Sequence, residues 1–188
     1  MIQSQLGGII ACRFNAWCKS ATASFLLSAA LLAALPAEAA SPAPIKLAIF
    51  DFEFEDFTDR SAGETPSDTE QLRRVTDEVR QLLAQSGRYS LIDVGGADAV
   101  AVKAHTLRDC NGCDADIALK LRAEQSLVGV VRRISRTEYT VRFQIRDART
   151  GAVVSSEDSG LRMGADYSWS RGAARLIKDR LLESRTPQ

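Results

Sequence analysis

The stretch "EYTVRFQIRDARTGAVV", residues 138–154, decides more of the fold than any other. Tyr139, Val141, Phe143 and Ile145 alternate with Thr140, Arg142, Gln144 and Arg146. A period of two with one apolar side marks a strand that is half-buried on a core. Asp147 then opens "DARTG", where Gly151 is free to take positive φ and the chain reverses. "AVVSSEDSGLRM" returns as the partner strand, read with a bulge near Ser159 and Gly160.

Working outward, "SLVGVVRRIS" (126–135) is the strand before this hairpin, and the short segment opening near Asp114 is a helix with Ile117, Ala118 and Leu121 on one face. "ADAVAVKAHTLRD" (97–109) reads as a weak helix. Farther upstream, "IKLAIFDFEF" (45–54) is a largely buried strand ending in acids, with Leu47, Ile49 and Asp51 on one face and Ala48, Phe50, Phe52 and Phe54 on the other. A loop, "EDFTDRSAGETPSD", leads to a helix capped by Asp68 or Thr69, with Leu72, Val75, Val79, Leu82 and Leu83 at helical spacing and Gly87 as the stop. "RYSLIDV" (88–94) follows as a strand parallel to the first, because a helix joins them. The last helix runs from about Tyr167 to Glu183 and buries Trp169, Ala173, Leu176, Ile177 and Leu181. The expected fold is α/β: one mixed sheet of about five strands, in the order β-α-β-α-β-β-β-α, with helices packed on it.

Arg13 and Lys19 are the only charges in the first 37 residues, and the apolar run "ATASFLLSAALLAALP" after them is too short to span a membrane. "AEAA" supplies the small residues that signal peptidase reads. The expected organisation is a signal peptide over 1–39, a linker over 40–44, a periplasmic α/β domain over 45–184 and a tail over 185–188. No transmembrane segment is expected after cleavage, and an uncleaved amino-terminal anchor is the alternative. Cys12 loosely fits a lipoprotein box but precedes the apolar run.

The 188 residues are 45% hydrophobic and 26% charged with net charge zero, an ordinary globular composition that speaks against a histone-like polyanion binder. The charge is nevertheless sorted. Residues 51–93 carry eleven acids and five bases, and residues 119–188 carry fourteen bases and eight acids.

Cys110 and Cys113, in "DCNGCD", are the only cysteines left once the first 39 residues are removed. In an oxidising compartment they pair with each other. Three readings compete. A thioredoxin-like redox centre needs a later proline facing the cysteines, and none lies between Pro66 and Pro187. A metal site would draw on His105, Cys110 and Cys113, a set lacking a fourth ligand. The reading taken is a structural disulfide clip.

Among other candidates, Asp51, Glu53, Glu55, Asp56 and Asp59 could offer oxygens to Ca²⁺ or Mg²⁺, but without EF-hand spacing they read as a solvated edge. Arg132, Arg136, Arg142, Arg146 and Arg149 lie on or beside one hairpin and are the candidate docking surface for an acidic envelope partner or anionic lipid. Nucleic acid is not expected, for want of aromatics to stack bases. No GxSxG elbow, Walker loop or GxGxxG fingerprint is present, so neither an enzyme nor a cofactor is expected.

"LAIFDFEFEDFTD", "SGRYSLIDV" and "LVGVV…FQIRDARTGAVV" resemble periplasmic α/β domains of the TolB amino-terminal and CsgG-like type. "LRDCNGCDADIALKL" and "DYSWSRGAARLIKDRLL" resemble, more closely, a secreted proteobacterial family known only as a domain of unknown function. The resemblance covers about residues 45–182. It implies an envelope location and an accessory role beside an envelope complex or a periplasmic oxidation pathway, with no catalytic residues to carry over. Where such proteins read Leu-Gly-Ala, this chain has Leu121, Arg122 and Ala123.

Overall fold

The computed structural model describes residues 42–59, 64–95, 102–103, 106–162 and 168–183, all within the unit Ser41–Gln188. The expected signal peptide, His105 and the 185–188 tail lie outside the described residues, as does most of the weak helix over 97–109.

One mixed sheet forms the body. Its strands are β1 (Ile45–Ile49), β2 (Glu53–Asp56), β3 (Tyr89–Ile92), β4 (Gln125–Arg133), β5 (Glu138–Asp147) and β6 (Val153–Arg162). They lie in the order β3-β1-β4-β5-β6, with β2 also paired to β4. Pairings among β1, β2, β3 and β4 are parallel, and the β4–β5 and β5–β6 pairings are antiparallel. Three helices pack on the sheet: α1 (Pro66–Gln85), α2 (Cys113–Lys120) and α3 (Trp169–Leu176), the last continuing as a π-helical turn over Ile177–Leu182.

The sixth strand arises because the expected first strand is two. Ile49 lies opposite Leu127 and Glu53 opposite Val130, so four steps on one strand match three on β4. This one-residue bulge exchanges the faces. Phe52 and Phe54 therefore join Leu47 and Ile49 in one core, not Ala48 and Phe50 as the alternation suggests. Helix α1 satisfies the interrupted backbone: Phe52 N–H donates to Thr76 Oγ1 at 3.0 Å, and Arg80 Nη2 donates to the Ile49 carbonyl at 2.9 Å. Gly129 of β4 makes room for the displaced ring, since a Cβ there would stand 2.3 Å from Phe52 Cε1.

Helix α1 starts one turn earlier than expected. Thr65 is the cap and Asp68 the third helical residue, in a capping box in which each side chain accepts the other's backbone N–H. Ser168 caps α3 by accepting from Arg171 N–H. The β6 irregularity falls near Val154, where pairing jumps from Ile145–Ser155 to Arg146–Val153, and not at Ser159 and Gly160, which stay in register. Gly151 takes φ +69° in the turn. Helix α2 ends in a Schellman arrangement, Ala123 N–H to the Ala118 carbonyl and Arg122 N–H to that of Leu119, with Arg122 at φ +62° where glycine is usual.

Candidate functional site

Alternation along "DFEFED", broken by the bulge, sends its acids to different neighbours, and each meets an arginine. Asp51 pairs with Arg80 at 3.1 Å, Glu53 with Arg108 at 2.9 Å, Glu55 with Arg132 at 2.6 Å and Asp56 with Arg133 at 2.8 Å. The expected solvated edge is thus a row of ion pairs, and only Asp51 is largely exposed among these four acids. Arg133 is one of the more enclosed partners, its side chain 25% exposed beside 23% for Arg108. It reaches Asp68 at 3.3 Å and Tyr139 Oη at 3.0 Å, and its guanidinium lies over the rings of Phe54 and Tyr139. The Thr58 hydroxyl and the N–H groups of Thr58 and Asp59, with Arg133 beyond, hold the Asp56 carboxyl below its ordinary range against the opposing effect of burial.

Glu53 also accepts the backbone N–H groups of Leu107 at 2.6 Å and Arg108 at 3.2 Å, so it clamps the segment leading into the paired cysteines. Cys110 and Cys113 are joined by a disulfide, with their Cα atoms 5.6 Å apart. Both are half-buried against the small core that contains Ile117 and Ala118. Cys113 is the first residue of α2, and the next residue, Asp114, is 3% exposed. Its carboxylate accepts from Ser126 Oγ at 2.5 Å and lies 3.6 Å from Arg146 Nε. Arg146 in turn donates to the Gly151 carbonyl and to Asn111 Oδ1 within the disulfide loop. Clip, α2 and the β5–β6 turn are therefore one tied unit.

This geometry divides the five candidate docking arginines. Arg132 and Arg146 are engaged in the ion pairs above. Arg136 is exposed in the β4–β5 turn and Arg149 is exposed in the β5–β6 turn, at opposite ends of β5. The side chain of Arg142, half-exposed at mid-strand, makes no hydrogen bond or ion pair among the described residues. Helix α2 packs on β4. Beyond it on the same sheet face, Thr140, Arg142 and Gln144 are half-exposed and Ser156 and Asp158 exposed, with Arg142 directly opposite Asp158.

A feature that sequence reasoning missed is a crevice of about 600 Å³ at the carboxyl ends of β1 and β3, where Asp51 and Arg80 meet Asp93 and Lys103 over Ile49 and Leu91. Parallel strands on either side of β1 with helices on opposite faces are the arrangement that leaves such a crevice. The signal was the strand–helix–strand order, but the bulge that places Asp51 was invisible. Among the described residues no group of three or more His, Cys, Asp or Glu could hold a metal ion, and no helix is long and apolar enough to cross a membrane.

The family model DUF3280, described as "Protein of unknown function (DUF2380)", matches residues 45–181. No curated protein matches the sequence. Among solved structures, the chain is similar to the LpoB C-terminal domain from Escherichia coli, with 16% identity over 66% of this chain and 87% of that one and a TM-score of 0.46. It is similar to PelC from Paraburkholderia phytofirmans, with 17% identity over 71% and 82% and a TM-score of 0.47. TolB from Acinetobacter baumannii is matched at 16% identity over 72% of this chain and 27% of that one, with a TM-score of 0.43.

Proposed function

The chain belongs to this family of proteins of unknown function, and we propose that its domain is a non-catalytic accessory module of the bacterial envelope that docks an acidic protein partner. The observation that carries the reading is the bare back of the β5–β6 hairpin, where the Arg142 side chain lacks a partner among the described residues and lies amid half-exposed and exposed polar residues. An unpaired guanidinium on a rigid strand is a preorganised donor for a carboxylate. In this reading residues 1–39 export the protein and are cleaved after Ala39, the domain over 45–184 works in the periplasm without a cofactor, and the disulfide is a clip.

A photo-crosslinking residue placed at Ser156, in cells of the source bacterium, tests the docking face. A discrete adduct from Ser156, lost with Arg142→Glu and not formed from Gln81 on α1, supports it. Absence of any adduct, or one indifferent to Arg142→Glu, counts against it, and an adduct with lipid alone would replace the protein partner by anionic lipid. The intact mass of protein purified without reductant reads export and the clip: a chain starting at Ala40 and two hydrogens light is expected.

A further inference from the structure

The crevice at the carboxyl ends of β1 and β3 lies apart from the docking face, and it originates in the bulge. Parallel pairing of β1 with β3 stops at Ala48 and Ile92. After the slip the chain continues as β2, which pairs with β4 and not with β3. The carboxyl end of β3 is left without a neighbouring strand on that side, and the gap is the crevice of about 600 Å³. Bulges of this kind end pairing beside functional sites, and cavities that hold small ligands measure about 300–1,000 Å³.

Two features of the lining define a ligand. The first is apolar. Leu91, Ile92, Val94 and Val102 line the crevice and are only half-buried. Leu91 packs on the large core, whereas Ile92, Val94 and Val102 pack on the small one, so the crevice opens on the seam between the two. Neither core covers these four aliphatic side chains fully, and an apolar body seated between them would remove the remainder from water.

The second feature is charge. Asp51 and Arg80 pair at 3.1 Å, and Arg80 Nη2 also donates to the Ile49 carbonyl, so this pair is occupied in holding the bulge. Asp93 and Lys103, both exposed, line the same crevice and form no ion pair with each other or with any other described residue. Asp93 accepts the Gly95 N–H on Oδ1 at 2.8 Å, which fixes the carboxylate and leaves Oδ2. A ligand that is only an anion is opposed by Asp93, and one that is only a cation is opposed by Lys103. One carrying both charges meets a partner for each.

We propose that this crevice binds a small zwitterion with an aliphatic body, of the class of the aliphatic α-amino acids. Its ammonium is received by Asp93, its carboxylate by Lys103, and its side chain by Leu91, Ile92, Val94 and Val102. The site shares no residue with the β5–β6 docking face, and the two readings stand or fall separately.

The test is a ¹H–¹⁵N amide spectrum of the full chain, titrated with L-leucine at constant pH and ionic strength. Saturable shifts are expected at the Val94, Gly95 and Lys103 amides, with those of β5 and β6 unmoved. Leucinamide lacks the carboxylate, N-acetyl-L-leucine lacks the ammonium and glycine lacks the body, and each should bind about tenfold more weakly. Asp93→Asn keeps the oxygen that accepts from Gly95, and Lys103→Gln changes an exposed side chain, so both leave the fold alone. Each should weaken L-leucine about tenfold. In Asp93→Asn the preference for L-leucine over N-acetyl-L-leucine should also vanish, which a general loss of structure would not produce. No saturable shift with L-leucine, equal binding of all four compounds, or an affinity indifferent to both substitutions would overturn the site.

Discussion

On the side of the sheet covered by α1 and α3, nineteen buried side chains form one cluster that includes Phe52, Phe143 and Trp169. On the side covered by α2, eight do, and four of those are alanines. The second layer buries too little apolar surface to hold an eight-residue helix by itself. What holds it is a set of discrete ties: the Glu53 clamp, the Asp114–Ser126–Arg146 chain and the Cys110–Cys113 disulfide. Where burial is scarce, covalent and polar links take its place, as in small secreted domains.

The widest gap should appear on truncating each core. Phe143→Ala should cost about 4 kcal/mol and Ile117→Ala about 2 kcal/mol, since the thin α2 layer can settle around a lost side chain. Urea unfolding of both variants measures this, and equal losses would erase the distinction between the faces. Next, Arg133→Met leaves the buried Asp68 carboxylate and that of Asp56 without their cation, for a loss of about 3 kcal/mol. The pH dependence has a defined sign. The Asp56 pKa in the folded state lies below the value near 3.8 of the free side chain, so its contribution is full above that value and disappears as pH falls through the folded one. Melting curves between pH 6 and pH 2 should show this acid loss, diminished in Arg133→Met. The clip comes third. Its loop is short, so the Cys110→Ser, Cys113→Ser double variant should lose about 2 kcal/mol. That loss should appear as faster hydrogen exchange in α2 with α1 unchanged.

How far these features were legible in the sequence depends on the range of the interaction. The β5 alternation, the α1 stripe and the pairing of the two cysteines rest on neighbours a few residues apart, and all three are present. The bulge at Asp51–Phe52 was hidden because Phe50, Phe52 and Phe54 keep a perfect period of two while the backbone slips by one residue. What fixes the slip is Thr76 and Arg80, twenty-four and thirty-one residues on from their backbone partners at Phe52 and Ile49. The acid–arginine row was visible only as a charge imbalance between the halves of the chain. Which arginine meets which acid depends on register, and register is a property of the assembled sheet.

The smallest effect is a gain, and it lies on the weaker face. Arg122 occupies the left-handed position that closes α2, at φ +62°, where glycine is usual. A side chain there carries a Cβ penalty that glycine avoids, while glycine also enlarges the entropy of the unfolded chain. At a left-handed position the first term outweighs the second. The Schellman hydrogen bonds at Arg122 N–H and Ala123 N–H are main-chain and survive the change. Arg122→Gly should therefore stabilise the domain by about 1 kcal/mol. Because the gain arises at the end of α2, combining it with the Cys110→Ser, Cys113→Ser variant should recover about half of what the clip contributes. A neutral or negative effect of Arg122→Gly in both backgrounds would mean that the arginine side chain makes a contact worth its strained backbone. The α2 layer would then have one tie more than those named above.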